Sequence, residues 1–168
     1  IQYFSYGITS SWVLVAIALI FVQMQLYAEN LYTDELSGLY NRRYLNAALA
    51  KGKIARWKSL HGIMMDVNDF KHINDNFGHS MGDKVICILG DILFKSIPDT
   101  GMAIRYAGDE FIVLLAGMDT ERVLATMEEI NQNLTRFNES TAEPFTLSVS
   151  MGYTELGAED DAETFLMR

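Results

Sequence analysis

Arg105-Tyr106-Ala107-Gly108-Asp109-Glu110-Phe111 sets two adjacent carboxylates beside a glycine, between two apolar runs. Met102-Ala103-Ile104 leads in and Phe111-Ile112-Val113-Leu114-Leu115 leads out, which predicts two strands joined by a tight turn. Gly108 can take a positive φ at that turn without strain. A further acid, Asp66, closes the apolar run Ile63-Met64-Met65. If these strands are neighbours, Asp66 and Asp109 converge at one edge of a sheet. That arrangement suits Mg²⁺ and, through it, a nucleoside triphosphate.

Around this hairpin the pattern alternates helix and strand. Asp34 or Ser37 can cap a helix running through Tyr40 to about Trp57, and Ile63 to Val67 reads as a buried strand. A helix between Phe70 and Phe77 is broken by Gly78, Gly82 and their polar neighbours from a second helix. In that second helix Val85, Ile88, Leu89, Ile92 and Leu93 recur at helical spacing. Asp119 or Thr120 starts a long helix with Val123, Met127, Ile130, Leu134 and Phe137 inward. Phe145, Leu147, Val149 and Met151 then alternate with Thr146, Ser148 and Ser150 as a half-buried strand. The expected class is α+β, a split β-α-β, ferredoxin-like layout with helices on one face of a partly antiparallel sheet.

With 168 residues and 49% of them hydrophobic, the chain has room for one domain plus an appendage. It opens at Ile1 rather than methionine, as expected of a piece of something longer. Thirteen basic against 22 acidic residues, a formal net charge of -9, argue against binding a nucleic acid polymer, because nothing on offer would release its counterions. An acidic protein that handles phosphate needs metal. The single cysteine, Cys87, lies in an apolar helical stretch and reads as a small core residue; it cannot form an internal disulfide.

The first charged residue is Glu29, and Trp12 to Val22 is unbroken apolar sequence. Residues 1–28 are therefore expected to form a transmembrane helix, with Tyr3, Tyr6, Trp12 and Tyr27 as interfacial anchors. A buried core helix lacks a comparable partner in the rest of the chain, and a cleaved signal peptide lacks its basic n-region. Arg42 and Arg43 follow closely, which places the domain on the cytoplasmic side of the cytoplasmic membrane. Ile20, Met24, Tyr27 and Leu31 form a short heptad seam. The stretch 29–36 thus reads as a stalk that either pairs two chains or simply continues the helix.

Four blocks together resemble a known family. Thr33-Asp34-Glu35-Leu36-Ser37-Gly38-Leu39-Tyr40-Asn41-Arg42-Arg43, Asp66-Val67-Asn68-Asp69-Phe70-Lys71-His72-Ile73-Asn74-Asp75, Phe77-Gly78-His79 through Gly82-Asp83, and the Arg105 to Phe111 stretch are similar, in that order, to the GGDEF domain of diguanylate cyclases. The resemblance covers roughly Leu31 onward, with residues 37–168 as the domain. It implies a cyclase-like, palm-like fold in which two domains of a homodimer, each holding one GTP, condense them into cyclic di-GMP with loss of two pyrophosphates. It also implies two Mg²⁺ ions per site, with Mn²⁺ able to substitute. Asp66 and Asp109 would be the side-chain ligands and the Val67 carbonyl a third. Asp109 is the favoured general base, and Glu110 supports the metal site or positions the nucleotide.

By the same resemblance Asn74 and Asp83 read guanine, an amide on N3 and the exocyclic amine, a carboxylate on N1–H and N2–H. Phe70, Lys71 and Gly108 approach the phosphates. Blander roles exist for each: Asp66 as a helix N-cap, Asn74 as a helix terminator, Asp83 as a first-turn acid, Lys71 as solvated surface, His79 as a turn hydrogen-bonder. Three departures stand out. Ala107 replaces the first signature glycine, and Asn68 replaces a common aspartate. Pro98 and Gly101 stand where the family's product-inhibition Arg and Asp would be, so feedback through that site is expected to be absent. The chain also ends before the family's final phosphate-binding helix. The alternative is an inactive domain that binds GTP or mediates dimerisation.

Overall fold

The computed structural model describes residues 2–50 and 59–156, with side chains for 12–25, 31–49 and 59–155. The chain divides into two units, residues 1–32 and 33–168. The first unit is one helix, α1 (Gln2–Tyr32). Trp12 to Val22 and Met24 are exposed wherever they are large and apolar, so no side of this stretch is polar. Among the described residues no helix is long and apolar enough to cross a membrane. Much of the expected 1–28 span, including the side chains of residues 1–11 and 26–28, lies outside that description.

In the second unit, β1 (Tyr40–Asn41), β2 (Leu60–Val67), β3 (Gly101–Ala107), β4 (Glu110–Ala116) and β5 (Val149–Leu156) form one sheet in the order β1-β3-β4-β2-β5. The short β1–β3 pairing is parallel; β3–β4, β4–β2 and β2–β5 are antiparallel. The expected α+β layout of strand, two helices, hairpin, helix and strand is present. Central β4 shows the period of two. Phe111, Val113 and Leu115 join the core beneath α4 (His79–Ser96) and α5 (Thr120–Ser140), while Ile112 and Leu114 join a second cluster with Leu45 of α2 (Arg42–Ala50). Helices therefore cover both faces rather than one.

Three further expectations shift. Asp34 and Ser37 cap no helix: the Asp34 carboxylate closes a turn by accepting from the Ser37 amide and hydroxyl, both at 2.8 Å. Tyr40 and Asn41 form a strand instead, and Asn41 caps α2 by accepting from the Tyr44 amide at 3.1 Å. The expected remainder of that helix, residues 51–57, lies outside the described residues. Next, Gly78 alone ends α3 (Phe70–Phe77), at φ +85°, and Gly82 lies inside α4.

The last strand begins at Val149, not Phe145. Phe145 and Leu147 are buried as their alternation demands, but among the described residues no strand pairs with them. The Asn138 carboxamide substitutes for one, donating to the Leu147 carbonyl at 2.8 Å and accepting from its amide at 2.9 Å. Alternation reports burial, and here a side chain satisfies the backbone that a ladder would otherwise bond. The long helix matches its pattern. Asp119 caps α5 by accepting from the Arg122 amide, and Val123, Ile130 and Leu134 are buried.

Candidate functional site

The acids of the hairpin meet the end of β2. In the antiparallel register Asp66 stands opposite Glu110, so both side chains leave the sheet on the same face. The Val67 amide donates to the Asp109 carbonyl at 3.3 Å, which ties the hairpin tip to the strand end. Asp66 is exposed, but partial desolvation by its neighbours and then the charge of Asp109 raise its carboxyl above its ordinary value. Two like charges are thus held where neither fully relieves the other.

Local sequence builds this tip. Gly108 takes φ +39°, a value that L side chains rarely adopt. The β3–β4 register shifts between Arg105 and Ala107, leaving Tyr106 as the extra residue of a bulge. Ala107, paired with Glu110, is exposed and has no positive φ, so its methyl group creates no backbone strain.

From sequence the braces of the tip read otherwise, Asp34 as a helix cap and Arg105 with no bracing role. Arg105 donates through Nε to the Gly108 carbonyl at 2.8 Å, and through one terminal nitrogen to Asp34 Oδ1 and Oδ2 at 3.1 and 3.3 Å. Burial opposes ionisation of Asp34, yet the Ser37 amide and hydroxyl and the Arg105 guanidinium outweigh it and hold the carboxyl below its usual range. On the bulge, the Arg42 guanidinium lies 4.5 Å from the centre of the Tyr106 ring. A lone arginine in an apolar strand was the available signal for the first brace.

Beyond β2, Asn68 donates its amide to the Ser148 carbonyl and its Nδ2 to Ser148 Oγ, both at 3.0 Å, while Ser150 Oγ donates to Asn68 Oδ1 at 2.6 Å. The α3 N-cap is then Asp69, at φ +57° and without a side-chain cap. Asp66 is therefore not a helix cap. Phe70 packs partly buried against the core, and Lys71 is exposed. Asn74 lies within α3, with its carbonyl accepting from the Gly78 amide at 2.9 Å, so it neither caps nor ends the helix. Asp83 is exposed and lies past the first turn of α4, which holds no acid, so a dipole role does not account for it. His79 is exposed at the α4 start, and Cys87 is half-buried, its thiol donating to the Leu36 carbonyl at 3.1 Å.

Two groups emerge: Asp66, Val67, Asp109 and Glu110 at the strand ends, and Asn74 with Asp83 at the α3–α4 junction. Asn74 stands four residues beyond the start of α3 at Phe70, about 6 Å of helix rise. Among the described residues no group of three or more His, Cys, Asp or Glu side chains forms a ready metal cluster. The donors that do converge are carboxylate oxygens with mutual repulsion, the chemistry of a hard divalent cation such as Mg²⁺ rather than of zinc. The residues present fit that ion.

Comparison with known proteins bears on the family and the fold. The family described as "Diguanylate cyclase, GGDEF domain" matches residues 31–168. The probable diguanylate cyclase DgcT of Escherichia coli strain K12 is 36% identical over 125 residues, covering 72% of this chain and 28% of that protein. Diguanylate cyclase DgcS of Shewanella oneidensis is 33% identical over 140 residues, covering 77% and 44% respectively. The chain thus corresponds to less than half the length of these relatives. Among solved structures, the coiled coil and GGDEF domain of DgcB from Caulobacter crescentus, in complex with c-di-GMP, superposes with a TM-score of 0.78 at 22% identity, covering 92% of this chain and 84% of that one. The GGDEF domain of DgcB alone gives 0.71 at 25% identity, covering 81% of each chain.

Proposed function

Because the chain belongs to the diguanylate cyclase GGDEF family, we propose that it condenses two GTP molecules into cyclic di-GMP and two pyrophosphates, with each of two domains supplying half of the site. The observation that supports this reading is the meeting of the Asp66 strand end with the hairpin tip, where Asp66 pairs with Glu110 and the Val67 amide donates to the Asp109 carbonyl at 3.3 Å. Asp66, Asp109 and the Val67 carbonyl would hold Mg²⁺, the ion this family generally uses. When bound, Mg²⁺ lowers the pKa of the attacking 3′-hydroxyl and offsets the charge growing on the phosphoryl oxygens.

The chain's own groups do the rest. Asp109 accepts the proton of the 3′-hydroxyl as its oxygen attacks the α-phosphorus. Glu110, across the ladder from Asp66, helps fix the nucleotide and the metal ligands. Gly108 leaves the backbone at the tip open to phosphate, with nothing within 4 Å of where a Cβ would stand. Phe70 and Lys71 at the α3 start address the phosphates through backbone and amine. Asn74 and Asp83 address guanine, and adenine would offer them no matching donors. Pairing two domains brings the nucleotides together, so assembly sets the rate.

We propose in addition that α1 tethers the domain to the cytoplasmic membrane and helps pair two chains. The exposed, uniformly apolar stretch 12–22 supports this, with Arg42 and Arg43 beyond it on the cytoplasmic side. The decisive experiment supplies the full-length protein with GTP and Mg²⁺ and measures cyclic dinucleotide. Product, lost in Asp109→Ala, is the expected result. Retained GTP binding without product would select a binding module instead.

A further inference from the structure

We propose that Gly82 is a specificity-positioning residue: the bare Cα at this position of α4 is the surface against which the Asn74 carboxamide lies, and any side chain there would drive that amide out of its guanine-reading pose. The inference rests on the assignment of Asn74 to guanine.

A Cβ built on Gly82 would stand 2.2 Å from Asn74 Oδ1, 2.9 Å from its Cγ and 3.1 Å from its Nδ2. All three atoms of the amide plane therefore press on one glycine. Gly82 is buried, and its backbone is an ordinary helical one without a positive φ. Conformation does not require glycine here, and helix propensity alone favours alanine. Space requires it. Among the described residues no hydrogen bond holds the Asn74 carboxamide, so packing against Gly82 sets its orientation. The contact also closes the α3–α4 junction, where the Gly82 amide donates to the Gly78 carbonyl at 3.4 Å, and the next residue is Asp83. One glycine thus places the amide and leads directly into the carboxylate that the proposed function assigns to the same base.

The clash falls on the far end of a side chain rather than on backbone. Gly82→Ala should accordingly fold, with Asn74 rotated away. The test measures the affinity of the full chain for GTP and for ITP, which lacks the exocyclic amine, in Mg²⁺ buffer by calorimetry. It uses wild type, Gly82→Ala, Asn74→Ala and the double variant. Each single variant should weaken GTP binding by about tenfold or more and bring GTP and ITP affinities together. The double variant should be no worse than either, because both changes remove the same contact. Wild-type discrimination in Gly82→Ala, with Asn74→Ala impaired, would overturn the positioning role. Unchanged GTP affinity in Asn74→Ala would instead overturn the guanine assignment itself. If Gly82→Ala lowers the melting temperature, the loss should vanish when Asn74→Ala is also present; equal losses with and without that second change would reject the contact.

Discussion

Arg105 reaches from β3 to both carboxylate oxygens of Asp34, at 3.1 and 3.3 Å, while its Nε holds the Gly108 carbonyl at 2.8 Å. One guanidinium thereby joins the turn at residues 34–38 to the hairpin tip that carries Asp109. Arg105→Ala should destabilise the protein by about 2 kcal/mol, the scale of hydrogen bonds to a charged group. Chemical denaturation measures the loss. Activity should fall further than stability at temperatures where the variant is still folded, since the tip loses its brace.

The same pair predicts an acid dependence. The Asp34 carboxyl is held below its ordinary value of 3.8 in the folded chain. Its stabilising contribution is therefore fully present above that value. It is lost as pH falls from there through the depressed folded value, because the unfolded chain takes up the proton first. Asp34→Asn should be less stable than wild type at neutral pH, with the difference shrinking on acidification. Melting curves between pH 7 and 2 check this.

Asp66 and Asp109 oppose each other electrostatically, so function and stability should part at this site. Asp66→Asn is expected to melt at the same temperature as wild type or higher in metal-free buffer, since partial desolvation and the Asp109 charge both disfavour its ionised form. Turnover should nonetheless fall at least about a hundredfold, as should that of Asp109→Ala. Thermal shift and a GTP turnover assay on the same samples separate the two effects.

Divalent cation should stabilise the wild type. With the Mg²⁺–GTP complex, as a single ligand, at a hundredfold excess over its dissociation constant, unfolding should cost about 2.7 kcal/mol more, and chelation should reverse the gain. Asp66→Asn should show little of this shift in the same titration.

Asn138 stands in for a strand partner of Leu147. Asn138→Ala leaves a buried amide and carbonyl without bonds and should cost about 1–3 kcal/mol. Hydrogen exchange at Leu147 should accelerate.

Much of this molecule is legible in its residues. The hairpin with its glycine, the α5 stripe from Val123 to Leu134 and the apolar run of β4 follow from period and turn chemistry, which act over a few neighbours. What escaped depends on partners distant in sequence. Asp34 reads locally as a cap, but Ser37 and Arg105, the latter 71 positions away, turn it into an anchor. Alternation at Phe145 to Met151 correctly marks buried faces and cannot reveal that a carboxamide replaces a neighbouring strand. Helix α2 packing on the second face of the sheet required knowing that Leu45 meets Ile104 and Ile112. At the site, Asp66 and Asp109 are identifiable from composition and spacing. The glycine that carries Asn74 reads as a break between helices, since sequence does not distinguish a glycine kept for its backbone from one kept for its emptiness.

The two small residues at the hairpin tip differ in the freedom left to mutation. Ala107 occupies ordinary backbone and faces water, whereas Gly108 carries the left-handed twist that turns the chain. Drift among descendants of this chain should therefore collect at the first of the two letters and spare the second. A search for relatives that insists on both glycines would pass over proteins whose tips are built as soundly as this one.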